Sequence, residues 1–202
     1  MRTHSARFVG AASSPSALPA LGPPEVAFVG RSNVGKSSLL NALVGHKSLA
    51  RVSKTPGRTQ QINFFLVDDA IVFADLPGYG FARVPVELKD QWKQLAEGYL
   101  SARRQLCGVC VLVDIRRGVA TDDRALLVYL DSLGLPYLLA LTKADKLARG
   151  PRLQRARDVA ASMPGVACVA TSARLGEGVD ELWDAIHAAA AAGAQPGAHE
   201  DR

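Results

Sequence analysis

The sequence predicts an α/β domain, a three-layer sandwich around a mostly parallel sheet of six strands with one strand antiparallel. Three observations predict it. Apolar runs of strand length alternate with helical stretches from residue 25 onward, as in βα units that bury both faces of a parallel sheet. Two β-rich runs flank Asp68-Asp69, a hairpin signal that reverses one strand. A glycine-bearing loop follows the first core strand and opens the first helix, where backbone N–H groups can wrap an anion.

Taken in order, residues 1–24 form an extended arm with a candidate edge strand at 7–10. Residues 25–29 are a short apolar strand ending at Gly30. Residues 33–45 carry Val34, Leu39, Leu40, Leu43 and Val44 at helical spacing. The hairpin strands are 63–67 and 70–74. Residues 86–104 are a helix, with Pro85 near its start. A buried strand spans 109–114. Thr121-Asp122-Asp123 is expected to cap a helix that runs to about Leu133, where Gly134 stops it. Then come a strand at 137–142, a helix at 151–162, a strand at 166–171 and a last helix at 179–192. One domain, 25–192, is expected between the arm and a frayed tail, 193–202.

The composition excludes several classes. With 202 residues, 48% apolar and 21% charged, the chain is globular and has room for one ordinary domain. Lys and Arg number 24 against 19 Asp and Glu, an excess that permits an RNA partner without requiring one. No run approaches the ~18 apolar residues of a membrane span, so no membrane partner is expected. Cys107 and Cys110 form a C-x-x-C with no second pair to complete a zinc site. Cys110 is expected inside the apolar strand and Cys107 just before it. Unpaired thiols suit a reducing, cytoplasmic location. Arg2, Arg7 and the lack of acid before Glu25 have the look of a targeting segment, but Pro15, Pro19, Pro23 and Pro24 interrupt any apolar core.

Gly30-Arg31-Ser32-Asn33-Val34-Gly35-Lys36-Ser37 fits G-x-x-x-x-G-K-[ST] between a strand and a helix, the context that marks a phosphate loop. Lys36 is placed to reach β- and γ-phosphates. The Ser37 hydroxyl suits Mg²⁺, which takes oxygen ligands. Asp75-Leu76-Pro77-Gly78 follows an apolar strand some forty residues later, with Asp75 placed to hold Mg²⁺ through water and the Gly78 N–H to meet a γ-phosphate. Thr142-Lys143-Ala144-Asp145 ends another strand. A carboxylate at Asp145 can accept both guanine N1–H and the 2-amino group, which adenine does not offer; sites built on such bonds discriminate by roughly 10⁴–10⁵. The Lys143 stem is placed to cover one face of the base. Thr171-Ser172-Ala173 ends the last strand, where backbone N–H groups can meet the guanine oxygen.

These motifs in this order resemble the Ras-like P-loop GTPase superfamily over residues 25–190. Four stretches resemble one branch, the EngB/YsxC ribosome-biogenesis GTPases. They are Gly30–Ser38, Lys54-Thr55-Pro56-Gly57-Arg58-Thr59-Gln60, Asp75-Leu76-Pro77-Gly78-Tyr79-Gly80 and Leu141-Thr142-Lys143-Ala144-Asp145-Lys146-Leu147. The superfamily norm has Asn where Thr142 stands, and Thr is usual in the branch. The resemblance implies a GTPase that binds GTP and GDP with Mg²⁺, and a first switch at Gly57, Arg58, Thr59, Gln60 and Gln61. From sequence alone Thr55 and Thr59 are both candidates for the Mg²⁺ and γ-phosphate contact; the family pattern selects Thr59, as a metal ligand beside Ser37 and a catalytic residue with Lys36. The implied partner is the precursor of the large ribosomal subunit, with a link to cell division and septation, and the implied state is a cytoplasmic monomer.

Ras-like enzymes that hydrolyse GTP unaided carry a water-orienting Gln after the D-x-x-G glycine. Tyr79 stands there, so slow basal turnover is expected, with catalysis completed from outside. In related GTPases an Asn at the position of Asn33 helps hold K⁺, which can stand in for an arginine finger; a loop-stabilising side chain is the ordinary alternative. Lys47, Arg51, Lys54 and Arg58 form one basic cluster. Lys146, Arg149, Arg152, Arg155 and Arg157 form another. Either can meet rRNA phosphates, and a solvated helix face explains the second equally well. Trp92, Tyr99 and Trp183 are expected to pack rather than stack on RNA. Two other classes remain: a metabolic P-loop kinase, which would need an acceptor pocket and lid, and a nucleotide-binding structural protein without turnover.

Overall fold

The computed structural model describes residues 3–46, 49, 61–79 and 86–193, without the side chains of 86–92 and 192–193. Its strands are β1 (Ala6–Ala12), β2 (Glu25–Gly30), β3 (Ile62–Val67), β4 (Ile71–Asp75), β5 (Leu106–Asp114), β6 (Tyr137–Thr142) and β7 (Cys168–Ala170). They form one sheet in the order β1-β3-β4-β2-β5-β6-β7. β3 runs antiparallel to both β1 and β4, and the remaining pairs are parallel. One strand, β3, is therefore reversed, and the arm strand makes the sheet seven-stranded rather than six-stranded.

Helices α1 (Lys36–Val44) and α5 (Val179–Gly193) cover one face, and α2 (Val86–Ala102), α3 (Thr121–Ser132) and α4 (Arg149–Ser162) the other. Each central strand feeds both cores. Val26 and Phe28 of β2 pack with Leu39, Leu43 and Trp183, while Ala27 and Val29 pack with Tyr99 and Leu127. Burial on both faces is why these strands are continuous apolar runs rather than alternating ones. Each fully buried large side chain contributes about 1.5–3 kcal/mol. β1 contributes less, since its Phe8 is 58% exposed.

Several element ends differ from expectation, each for a local reason. α1 starts at Lys36, because Asn33 (φ 60°) and Gly35 (φ 109°) are left-handed and cannot be helical. β5 starts at Leu106, and Cys107 lies within it at a register shift opposite Glu25 and Val26. Both Cys107 and Cys110 are buried, and burial pushes the Cys107 thiol up to about 11, so the C-x-x-C is core. α3 is capped differently: its N-cap is Ala120, whose N–H donates to Asp123 Oδ2 at 2.8 Å. α4 starts at Arg149, two residues before Pro151, because proline is tolerated within a first turn.

The arm is tied down at the end of the sheet opposite the motif loops. Arg103 donates to both oxygens of the fully buried Glu25 and, at 2.8 Å, to the Pro19 carbonyl. Tyr99 Oη donates to Glu25 at 2.9 Å. Gly98 is required there, since a Cβ would stand 2.7 Å from Pro15 Cγ. Among the described residues no helix is long and apolar enough to cross a membrane.

Candidate functional site

The carboxyl ends of β2, β4, β5, β6 and β7 bring four of the predicted motifs to one edge of the sheet, where open α/β sheets bind ligands. Gly30–Ser37 links β2 to α1. Gly30 has no room for a side chain: a Cβ would lie 2.9 Å from the Leu112 carbonyl. Val34 turns inward and is buried, while Asn33 is exposed. Arg31 lies 3.4 Å from Asp122. Lys36 Nζ pairs with the Asp75 carboxylate at the end of β4, and both side chains are largely buried.

Asp75-Leu76-Pro77-Gly78 runs beside this loop and extends the β2–β4 ladder. The Leu76 N–H donates to Phe28 O at 3.0 Å, the Tyr79 N–H to Gly30 O at 3.2 Å, and the Ser32 N–H to Tyr79 O at 2.9 Å. Gly78 packs on the loop so closely that a Cβ would stand 3.2 Å from Ser32 N. Ser37 and Asp75 present hard oxygen donors at one place, which fits Mg²⁺ rather than a soft metal. Among the described residues no three His, Cys, Asp or Glu side chains gather to hold a metal by themselves.

The loop after β6 does two jobs. Thr142 and Lys143 grip the Gly30–Ser37 loop: Thr142 Oγ1 donates to Val34 O at 2.7 Å and Lys143 Nζ to Asn33 O at 2.6 Å. Lys143 is left-handed, with φ 60°. Ala144 is buried, and its N–H donates to Thr171 O at 3.0 Å. Asp145 is held by the loop after β7. Ser172 Oγ donates to its Oδ1 at 2.9 Å and Arg174 Nε to its Oδ2 at 3.1 Å, with Lys146 at 3.7 Å. Gly178 lets that loop close: it has φ 71°, and a Cβ there would meet the Ala170 carbonyl at 2.1 Å. Thr171 is buried, and Ala173 packs against the α1/α5 core.

Of the first-switch residues, Gln61 is exposed just before β3. Gly57, Arg58, Thr59 and Gln60, together with Thr55 and the basic residues Lys47, Arg51 and Lys54, lie outside the described residues. Three participants were not singled out from sequence. Asp114 ends β5 and binds Arg116 at 2.6 and 2.9 Å and Lys143 at 3.1 Å. Burial favours its neutral form, but the bonds from Arg116 and Lys143 outweigh that and hold its carboxyl well below the usual range. An acid ending a buried strand two residues before an Arg was the available signal. Asp123, in the first turn of α3, accepts the Tyr79 hydroxyl at 2.6 Å.

A Gly-Lys-Ser phosphate loop, a D-x-x-G segment docked on it and a strand-end carboxylate held by a second loop define a P-loop GTPase. The family model described as "50S ribosome-binding GTPase" matches residues 25–143. A probable GTP-binding protein EngB from Solibacter usitatus is 48% identical over 186 residues, 92% of this chain and 96% of that protein. The corresponding protein of Geobacter sulfurreducens is 46% identical over 195 residues, 95% of this chain and 94% of that one. The chain belongs to the EngB family of GTP-binding proteins, and it is a GTPase. Among solved structures, a probable GTP-binding protein engB superposes with a TM-score of 0.68 at 24% identity, over 83% of this chain and 99% of that one. Era in complex with MgGDPNP and nucleotides 1506–1542 of 16S ribosomal RNA gives 0.64 at 26% identity, over 81% of this chain and 55% of that one.

Proposed function

We propose that the chain is a Mg²⁺-dependent GTP switch that acts in assembly of the large ribosomal subunit. The observation that carries the nucleotide half is Asp145. Its carboxylate is fixed by Ser172 and Arg174 on the same edge as the phosphate loop, and Thr142 fastens the two loops together. Residues 25–192 form the GTPase domain, with 1–24 as its arm and 193–202 as a tail. Gly30–Ser37 wraps the phosphates, and Lys36 leaves the Asp75 carboxylate for the β- and γ-phosphate oxygens. Ser37 and Thr59 hold Mg²⁺, with Asp75 behind a water. The bound ion neutralises phosphate charge. Gly57–Gln61 and Asp75–Gly78 are the two switches, ordered in the GTP state and released by hydrolysis. Thr142–Asp145 and Thr171–Ala173 hold guanine. Tyr79 cannot orient water as a Gln does, so the charge missing at the transition state comes from K⁺ near Asn33 or from the ribosome.

The ribosomal half is supported by the family model's description and by the EngB relatives. In this reading the protein works as a cytoplasmic monomer without membrane attachment, and its part in ribosome supply links it to cell division and septation. The test is a binding and single-turnover experiment with purified large and small subunits. The chain loaded with a non-hydrolysable GTP analogue is expected to co-sediment with large subunits and to leave them with GDP. Large subunits are expected to speed hydrolysis. No nucleotide-dependent binding to large subunits, or equal binding to small ones, overturns the ribosomal assignment.

A further inference from the structure

Tyr79 stands beside the phosphate loop, yet its hydroxyl is spent elsewhere. The residue is 7% exposed, and the hydroxyl donates to Asp123 Oδ1 at 2.6 Å. Asp123 is 2% exposed and uses its other oxygen to accept the Ala120 N–H at 2.8 Å. The carboxylate thus belongs to the rigid start of α3 while it grips the end of the D-x-x-G segment. The Tyr79 main chain is bonded in both directions to Gly30 and Ser32. Gly78 lies immediately before it, against Ser32 and Gly30, and its N–H donates to no backbone carbonyl among the described residues. Two backbone bonds at the end of a strand ladder locate a segment weakly. A buried aromatic ring with a charge-assisted hydrogen bond, roughly twice as strong as a neutral one, locates it firmly. Burial and the neighbouring carboxylate hold the phenol far above its ordinary pKa, so it remains the donor at any working pH.

We infer that Asp123 is a positioning residue for GTP hydrolysis, which acts through Tyr79 to hold the Gly78 N–H where the γ-phosphate arrives. The inference rests on the role given to Gly78 under the proposed function. It also accounts for a tyrosine where other Ras-like enzymes keep glutamine: the longer side chain reaches past the nucleotide edge to α3.

The test compares affinities for a non-hydrolysable GTP analogue and for GDP, both with Mg²⁺, in the full chain, beside single-turnover rates and thermal midpoints. Tyr79→Phe keeps the ring and removes only the hydroxyl. It is expected to weaken the analogue about tenfold, roughly 1.4 kcal/mol, to leave GDP within about twofold, and to slow hydrolysis. Asp123→Asn is expected to act in the same direction and supplies the comparison if Tyr79→Phe folds poorly. The double variant should lose no more than the worse single one, since both break one bond. Analogue and GDP affinities that fall together mark a general loosening and overturn the inference, as does no change in either. Gly78→Ala separates the two levels. A selective loss of the analogue in Gly78→Ala but not in Tyr79→Phe overturns the role of Asp123 alone. No selective loss in any variant overturns the role of Gly78 as well.

Discussion

Thr142 Oγ1 donates a 2.7 Å hydrogen bond to the carbonyl of Val34, 108 positions away in the chain, and lies 3.2 Å from Val113 O. One hydroxyl at the end of β6 thereby joins the guanine loop, the phosphate loop and β5. Thr142→Val preserves shape and removes the donor, which leaves the Val34 carbonyl without this partner. The expected cost is about 1–3 kcal/mol, read as a lower urea midpoint with unchanged slope, together with weaker binding of both GTP and GDP. An unchanged midpoint and unchanged affinities would show that the link is incidental.

Asp145 carries the choice of base. Burial favours its neutral form, but hydrogen bonds from Ser172 and Arg174 and the charges of Arg174 and Lys146 outweigh it and hold the carboxyl below its ordinary value. A pKa depressed in the folded state adds stability above the unfolded value of about 3.9, and that stability is lost as pH falls through the lowered value. Asp145 therefore stays ionised throughout the neutral and mildly acidic range and imposes no pH dependence on guanine binding there. Asp145→Asn is expected to lose at least one charge-assisted bond, roughly 1.5–3 kcal/mol, and to favour xanthosine nucleotides, whose 2-oxo group suits an amide donor. GTP affinity equal to the parent's, with ATP competing equally in the parent, would remove the guanine assignment.

The sheet was legible because its central strands are buried on both faces, and such runs stand out whatever lies between them. The phosphate loop was legible from spacing. The contacts that lock these parts together were not. Tyr79 and Asp123 are 44 positions apart, and Arg103 and Glu25 are 78; a bond between distant residues leaves no period in the sequence. The second basic cluster also resolves only in three dimensions. Arg152 pairs with Glu177 and Lys146 lies near Asp145, while Arg149, Arg155 and Arg157 make no ion pair among the described residues. The aromatic expectation can be followed at two positions. Tyr99 is fully buried, and Trp183 Nε1 donates to Leu43 O at 2.6 Å. The Trp92 side chain lies outside the described residues.

Lys36 and Ser37 are adjacent in sequence but should fail differently. Lys36→Ala removes a cation from the phosphates, costing roughly 1.5–3 kcal/mol of nucleotide affinity. It also strips the partner from the largely buried Asp75 carboxylate, so the chain without nucleotide should melt at a lower temperature as well. Ser37→Ala breaks no ion pair. Its loss of GTP affinity should appear mainly when Mg²⁺ is present, measured by titration with Mg²⁺ and with a chelator. Equal losses in both conditions would exclude Ser37 as a metal ligand.

The completion of hydrolysis turns on Asn33, whose backbone and side chain have to be tested separately. Its φ is 60°, and its carbonyl accepts Lys143 Nζ at 2.6 Å, so Asn33→Ala would strain a left-handed residue by about 1 kcal/mol or more besides removing the amide. Asn33→Gly keeps the backbone and removes the amide alone. If the amide helps hold K⁺ beside the phosphates, the parent should hydrolyse GTP faster in K⁺ than in Na⁺ at matched ionic strength. An arginine finger in that place is worth roughly 10³–10⁵ in rate, so even a partial substitute is measurable in single turnovers. Asn33→Gly should erase the difference between the two cations while nucleotide affinity stays within about tenfold, roughly 1.4 kcal/mol. Equal rates in K⁺ and Na⁺, with stimulation by large subunits alone, would place the missing charge on the ribosome and leave Asn33 the task of shaping the loop that Lys143 grips.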